Sequence, residues 1–258
     1  MDVVLADALT RKAAAIIDPA VRVQLFHSII AARPREELRE ALGVLIERAG
    51  LRDTHAGVAL LSLQQAIALL PDADRILYTG SVPPPEAEAK PEHHVVDPDA
   101  PDAPPRDEEN GVRLPNYGFG RTPTLGERKS LARRPDRKTL EKVLRDPHPD
   151  VIALLLQNPR LTEDDVVRMC ARRPGLPEVL VRVFASTRWS IRPAVRRALA
   201  MNPATPDLLV AAVVPLLGPD DLRQIAQDER VLPSVRRRCL EILARLSPPE
   251  GDASPSIH

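Results

Sequence analysis

Apolar residues recur at helical spacing along most of this chain. In residues 3–17, Val4, Leu5, Leu9, Ala13, Ile16 and Ile17 fall largely on one side of a helix. Asp18 followed by Pro19 reads as an N-cap and a first-turn proline. The helix they open carries Val21, Val23, Leu25, Phe26, Ile29 and Ile30 until Arg33-Pro34 breaks it. A third helix over 36–49 places Leu38, Leu42, Leu45 and Ile46 together, with Gly50 as its C′ stop. A fourth, the most apolar of this half, runs from Thr54 to Leu70 and ends at Pro71; Ile76, Leu77 and Tyr78 occupy a short turn beyond it. These elements predict a four- to five-helix bundle or a pair of helical hairpins.

From Thr124 the apolar runs shorten and proline punctuates them. Thr124 with Glu127, and Thr162 with Asp165, form capping boxes that open helices. Asp136 or its neighbours start another over Thr139–Leu144, and Thr205-Pro206 reads as an N-cap with a first-turn proline. Gly218-Pro219 stops one helix, and Asp220-Asp221 place negative charge at the positive end of the next. The pattern repeats. Pro149, Val151, Asn158 and Pro159 match Pro193, Val195, Asn202 and Pro203 at a spacing of 44. Pro233, Val235, Arg236 and Arg237 match Pro193, Val195, Arg196 and Arg197 at a spacing of 40. Ala132-Arg133-Arg134-Pro135 recurs as Ala171-Arg172-Arg173-Pro174, 39 residues on. Such periods signify stacked helical units. Proline ends each helix because it lacks an N–H and clashes with the preceding turn. Asparagine tolerates the non-helical backbone there and can bond the neighbouring repeat, so Asn158 and Asn202 are structural.

At Asp146-Pro-His-Pro-Asp-Val151 with Asn158-Pro and Thr162, and at Pro193-Ala-Val195-Arg196 with Asn202-Pro-Ala-Thr205-Pro206, the chain resembles the leucine-rich repeat variant family. The resemblance covers residues 125–247. It implies a solenoid of short alternating α- and 3₁₀-helical pieces, similar in style to HEAT repeats. The founding type of that family holds an iron–sulfur centre in a cysteine cluster before its repeats. Cys170 and Cys239 are the only cysteines here, so no cofactor is carried over.

Composition sharpens the picture. Phe, Tyr and Trp total six, so the core is built of Leu, Val, Ile and Ala, which suits helices packed on helices. The zero net charge conceals an asymmetry: residues 1–80 carry net −1, 81–112 net −7, 113–247 net +10 and 248–258 net −2. With eight prolines and nine acids, residues 81–112 cannot bury enough apolar surface to offset the entropy of ordering. The expected fold is therefore all-α: a helical bundle over 1–80, an acidic proline-rich disordered linker over 81–112, a basic α-solenoid over 113–247 and a disordered tail over 248–258. No signal-peptide pattern and no apolar run of membrane-spanning length is present, which predicts a soluble cytoplasmic protein away from membranes.

Candidate chemistry is sparse. Phosphate-binding glycine loops, nucleophile elbows and His-Glu-x-x-His are absent, which predicts a non-enzymatic protein without metal or cofactor. Asp146-x-His148-x-Asp150 offers three metal-type ligands but reads more simply as a helix entry; His93, His94 and Asp97 read as solvated, and His27 and His55 as structural. Carboxylate pairs fall in helix first turns. The arginines say more: Arg133, Arg134, Arg172, Arg173, Arg196, Arg197, Arg236, Arg237 and Arg238 occur at repeat-equivalent positions, which a stack aligns into stripes. A stripe is either a solvated face or a surface for acidic protein segments or phosphates. Tyr117 and Phe119, in a glycine-flanked segment, either seal the open end of the first repeat or dock into a partner; Trp189 reads as core. These features predict a scaffold or adaptor that binds another protein through its basic surface, with nucleic-acid binding through phosphate contacts as the alternative.

Overall fold

The computed structural model describes residues 3–70 and 113–246. The acidic segment, the tail, the turn at Ile76–Tyr78 and the His93/His94/Asp97 group lie outside the described residues. The fold is all-α, with no strand among the described residues. Among the described residues, four helices lie in the first segment: α1 (Val3–Ala15), α2 (Pro19–Ala32), α3 (Arg35–Gly50) and α4 (Thr54–Ala68). Nine lie in the second: α5 (Leu125–Ala132), α6 (Arg137–Val143), α7 (Pro149–Leu155), α8 (Glu163–Ala171), α9 (Pro177–Ala185), α10 (Pro193–Met201), α11 (Asp207–Val213), α12 (Pro219–Gln227) and α13 (Pro233–Leu246). A 3₁₀ turn at Val214–Leu216 follows α11.

The expected punctuation is largely what sets these elements. Asp18 accepts from the amides of Ala20 and Val21, and both capping boxes, Thr124/Glu127 and Thr162/Asp165, are complete. Asp136 accepts from the Thr139 amide at the start of α6. Three expectations need correction. Gly50 is the last residue of α3, and the left-handed position after it belongs to Arg52, at φ 66°. Thr205 does not cap α11; its hydroxyl donates to the Leu199 carbonyl at 2.7 Å, tying the break back onto α10. The first helix also ends two residues early, and Val4 and Ile17 point to solvent while Leu5, Ala6, Leu9 and Ala13 are buried.

Helix α4 is the centre of the molecule. It packs on α1, α2 and α3 and, from the second segment, on α9 and α11. A helix so surrounded is largely apolar around its circumference: Ala56, Ala59, Leu60, Leu63, Ala66 and Ile67 are buried, together with the polar Ser62, Gln64 and Gln65. The contact with the second half is close: a Cβ on Gly57 would stand 2.8 Å from Leu216. Gln65 donates to the Phe184 carbonyl and the Ser190 hydroxyl, and Arg52 reaches over to the carbonyls of Pro215 and Leu217. The two segments thus share one hydrophobic core.

In the second half the helices form two rows. Helices α5, α7 and α9 pack in succession, and Asp150 on α7 pairs with Lys129 on α5 and Arg182 on α9. The other row is α6, α8, α10 and α12. There α8 packs on α10, and Arg137–Asp165, Arg192–Glu163 and Arg197–Asp221 link neighbours.

Candidate functional site

Four of the breaks between helices share one local geometry. At each of these, a carboxylate or amide side chain accepts from the backbone amide two residues on: Asp146 from His148, Asn158 from Arg160, Asn202 from Ala204 and Asp228 from Arg230. This fixes the turn and frees the rest of the side chain to face the neighbouring helix end. Asn158 Nδ2 donates to the carbonyls of Ala132 and Arg134, both at 2.9 Å. Asn202 Nδ2 donates to those of Cys170 and Arg172, at 2.6 and 3.0 Å. Both asparagines are buried, and each satisfies carbonyls that a helix end leaves without partners. The equivalence sets the register: Ala132 and Arg134 correspond to Cys170 and Arg172, 38 residues apart, one less than the spacing of the Ala-Arg-Arg-Pro motif. Gly175 lets the second break close, since a Cβ there would lie 2.9 Å from both amide atoms of Asn202.

The last break departs from the pattern in a way that creates a site. Asp228 cannot donate, so it leaves the end of α10 without an amide donor. Arg173 supplies one: its Nη2 donates to the Met201 carbonyl at 2.9 Å, and its charge acts on Asp228. Arg230 closes on the same carboxylate with two bonds of 2.9 Å. Together with the Arg230 amide and the charge of Arg173, this holds the Asp228 carboxyl down at about 2. Between α8, α10 and α12 lies an open groove of about 700 Å³. Its floor is apolar, formed by Val167, Ala171, Ala194, Ala198 and Met201, and its rim carries Arg173, Arg197 and Arg230 with Asp221 and Asp228. No aromatic side chain lines it. A groove of this kind offers apolar anchoring at its base and charge-assisted hydrogen bonds to carboxylates at its edge.

The predicted arginines do not form one stripe. Arg173 and Arg197 meet on this groove, and Arg172 lies just beside it on another pocket shared with Arg173. Arg133 and Arg134 are exposed one break away, beside the carbonyls that Asn158 satisfies. Arg196 turns inward and donates to the Ser190 carbonyl at 2.8 Å; burial depresses its proton affinity. Arg236 has its Nε buried, while Arg237 faces Glu241 at 4.0 Å and, with Arg238, borders a small cleft against Asp207. Successive residues of a helix are turned by about 100° around its axis, so adjacent arginines such as Arg196 and Arg197 on α10 part company.

The aromatic residues also separate. Tyr117 is buried, and its hydroxyl donates to Asp146 at 2.5 Å beside the buried Arg128–Asp146 pair at 3.1 Å. Burial, then the Asp146 charge, pushes the phenol well above its ordinary range. Phe119 stays exposed under the Arg121 guanidinium, 6.0 Å from its ring centre. Trp189 is buried, donates to the Leu156 carbonyl at 2.8 Å and carries Arg188 over its ring at 4.4 Å. His148 accepts from the Asp150 amide and caps α7; with Asp146 held by Arg128 and Asp150 by Lys129, that trio faces three different partners. Among the described residues no group of three His, Cys, Asp or Glu is placed to hold a metal, and no helix is long and apolar enough to cross a membrane. Both cysteines are buried, which pushes their thiols up to about 12 and about 11.

The chain matches no family model, no curated protein and no solved structure. The site therefore rests on its own geometry. Asp221, Asp228 and Arg230 were missing from the sequence-based set. One signal pointed to two of them: Gln157-Asn158-Pro159-Arg160-Leu161 aligns with Gln227-Asp228-Glu229-Arg230-Val231.

Proposed function

We propose that this protein is a non-enzymatic adaptor, an α-solenoid in the style of the leucine-rich repeat variant and HEAT families, acting in the cytoplasm. Its groove between α8, α10 and α12 receives an acidic, amphipathic segment of another protein. The observation that carries this reading is the combination of an apolar floor with an arginine rim at the last break. Apolar side chains of the segment bury against Val167, Ala198 and Met201, and its carboxylates exchange with Asp221 and Asp228 for the guanidiniums of Arg197 and Arg230. Single-stranded nucleic acid fits the groove less well, because stacking platforms are missing and two carboxylates sit on the rim.

Selection of short random peptides on the full chain, with the Arg197→Glu variant as counter-selection, tests the reading. Enriched peptides should alternate acidic and apolar residues and lose binding to the variant. Peptides without acids, or equal binding to both proteins, would refute it. Tight DNA binding that survives physiological salt and falls log-linearly as salt rises would favour the nucleic-acid alternative instead.

A further inference from the structure

Beside the groove lies a smaller pocket of about 180 Å³, bounded by Arg113, Arg145, Arg172 and Arg173 over Pro147 and Leu176. Three separate parts of the chain bring these cations together: the start of the second half (Arg113), the turn after α6 (Arg145) and the end of α8 (Arg172 and Arg173). Several other arginines of this half face acids: Arg137 pairs with Asp165, Arg197 with Asp221 and Arg230 with Asp228. Of the four at this pocket only Arg173 has such a neighbour, Asp228, on its groove side. Asp146 is the one acid at the pocket, and its side chain is fully covered, its oxygens taken by Arg128, Tyr117 and the His148 amide. The guanidiniums of Arg113, Arg145 and Arg172 have no acidic partner among the described residues. Burial and the charge of Arg145 both depress the proton affinity of Arg172, the mark of cations converging without a counter-ion.

We propose that this pocket receives a phosphoryl group, carried by a phosphorylated side chain of the protein segment that occupies the adjoining groove. The second clause rests on the adaptor reading above. A carboxylate brings one negative charge, too little for this cluster, whereas a phosphorylated side chain brings about two and three acceptor oxygens suited to forked guanidinium donors. Arg173 borders both cavities, so a segment lying in the groove continues into the pocket.

The test has two arms on the full chain. In the first, inorganic phosphate is titrated while the arginine Nε–Hε signals are followed by NMR. Saturable shifts should be confined to Arg113, Arg145, Arg172 and Arg173. They should weaken at least about tenfold in Arg145→Gln/Arg172→Gln, because charge-assisted forks are lost, and persist in Arg197→Gln. Shifts spread equally over Arg133, Arg134 and Arg237, or no shifts, overturn the pocket. Phosphate binding that emerges only in Glu108→Gln/Glu109→Gln assigns the pocket to the chain's own acids and also overturns it. In the second arm, groove-binding peptides are made with and without one phosphoserine, scanned along their length. One position should tighten binding at least about tenfold, as two added charge-assisted bonds would, and the gain should vanish in Arg145→Gln/Arg172→Gln. Phosphate binding without any such gain leaves a free-anion site and overturns the peptide assignment. Peptides that bind through Arg197 while phosphate has no effect sink the pocket and leave the adaptor reading standing. DNA that displaces phosphate and outcompetes every phosphopeptide overturns the proposal in favour of a nucleic-acid ligand.

Discussion

Replacing Asn202 by Asp tests the architecture at one atom. The substitution keeps the shape of the side chain and the acceptor that holds the Ala204 amide at 2.9 Å. It removes the donor that serves the carbonyls of Cys170 and Arg172. A neutral hydrogen bond contributes about 0.5–1.5 kcal/mol net, and a buried group left unsatisfied costs about 1–3 kcal/mol. Two bonds lost at a buried site therefore amount to about 2–5 kcal/mol, a large share of the 5–15 kcal/mol that typically holds a domain together. Asn202→Ala should lose a similar amount. The aspartate differs because it titrates. Facing two carbonyls and shielded from water, the new carboxyl has a folded-state pKa above its unfolded value of about 3.9. Such a group is tolerated below the unfolded pKa, where it is protonated in both states and its O–H can still donate one bond. Its cost grows as pH rises from there through the folded pKa. Urea unfolding of both variants between acid and neutral pH measures this. Asn202→Asp within about 0.5 kcal/mol of the parent at neutral pH, inside the range of ordinary surface changes, would refute the role assigned to the break, as would a penalty that shrinks with rising pH.

Other positions give sharper local tests. Gly175→Ala puts a methyl against the Asn202 amide and should cost about 1–3 kcal/mol, read as a lower urea midpoint at unchanged slope; an unchanged midpoint would show that the break has room to spare. Tyr117→Phe removes the hydroxyl from Asp146 and should destabilise by about 1–3 kcal/mol, without opening the Arg128–Asp146 pair; equal stability by thermal unfolding would argue against that bond. The Asp165 carboxyl is held well below the usual range, first by Arg137 and then by Thr162 and Arg168. Its contribution is complete above about pH 4–5, where the unfolded carboxyl of pKa about 3.9 is ionised, and is lost as pH falls through the folded value. Asp165→Asn should therefore flatten the acid limb of the stability profile, and an identical limb in both proteins would count against the pairing.

Much of this fold is written locally. The capping boxes at Thr124 and Thr162 and the Asp18-Pro19 entry are short-range chemistry, and sequence alone places them. The Asn158/Asn202 equivalence at 44 residues likewise emerges as identical bonding. The Ala-Arg-Arg-Pro motif misleads by one residue because the partners of the asparagines are backbone carbonyls, which carry no side-chain signature. Arg52 takes the left-handed backbone that Gly50 seemed suited for because its guanidinium gains the carbonyls of Pro215 and Leu217 across the core. That contact, like the seat of α4 on α9 and α11, joins residues far apart in sequence, and no periodicity encodes it. The arginine set divides between faces for a related reason. Repeat equivalence fixes a backbone position, whereas the next helix decides whether a side chain turns in, as Arg196 does, or out, as Arg197 does.

The break at Asp228 joins architecture to recognition. Were this residue asparagine, it would satisfy the end of α10 as Asn158 and Asn202 satisfy theirs, and Arg173 would be free. With aspartate there, Arg173 must bridge to the Met201 carbonyl, and in doing so it is drawn to the border between the apolar groove and the arginine pocket. The loss of one donor amide thus brings Arg173 and Arg230 to the groove that Arg197 also borders. It also makes Arg173 the wrong residue with which to test binding, because removing it unsettles the helix end. Arg145 and Arg172 lack that structural duty, and Arg197 holds only a part-exposed ion pair with Asp221 at 3.6 Å, so a loss of affinity in their variants at an unchanged unfolding midpoint reports on the ligand.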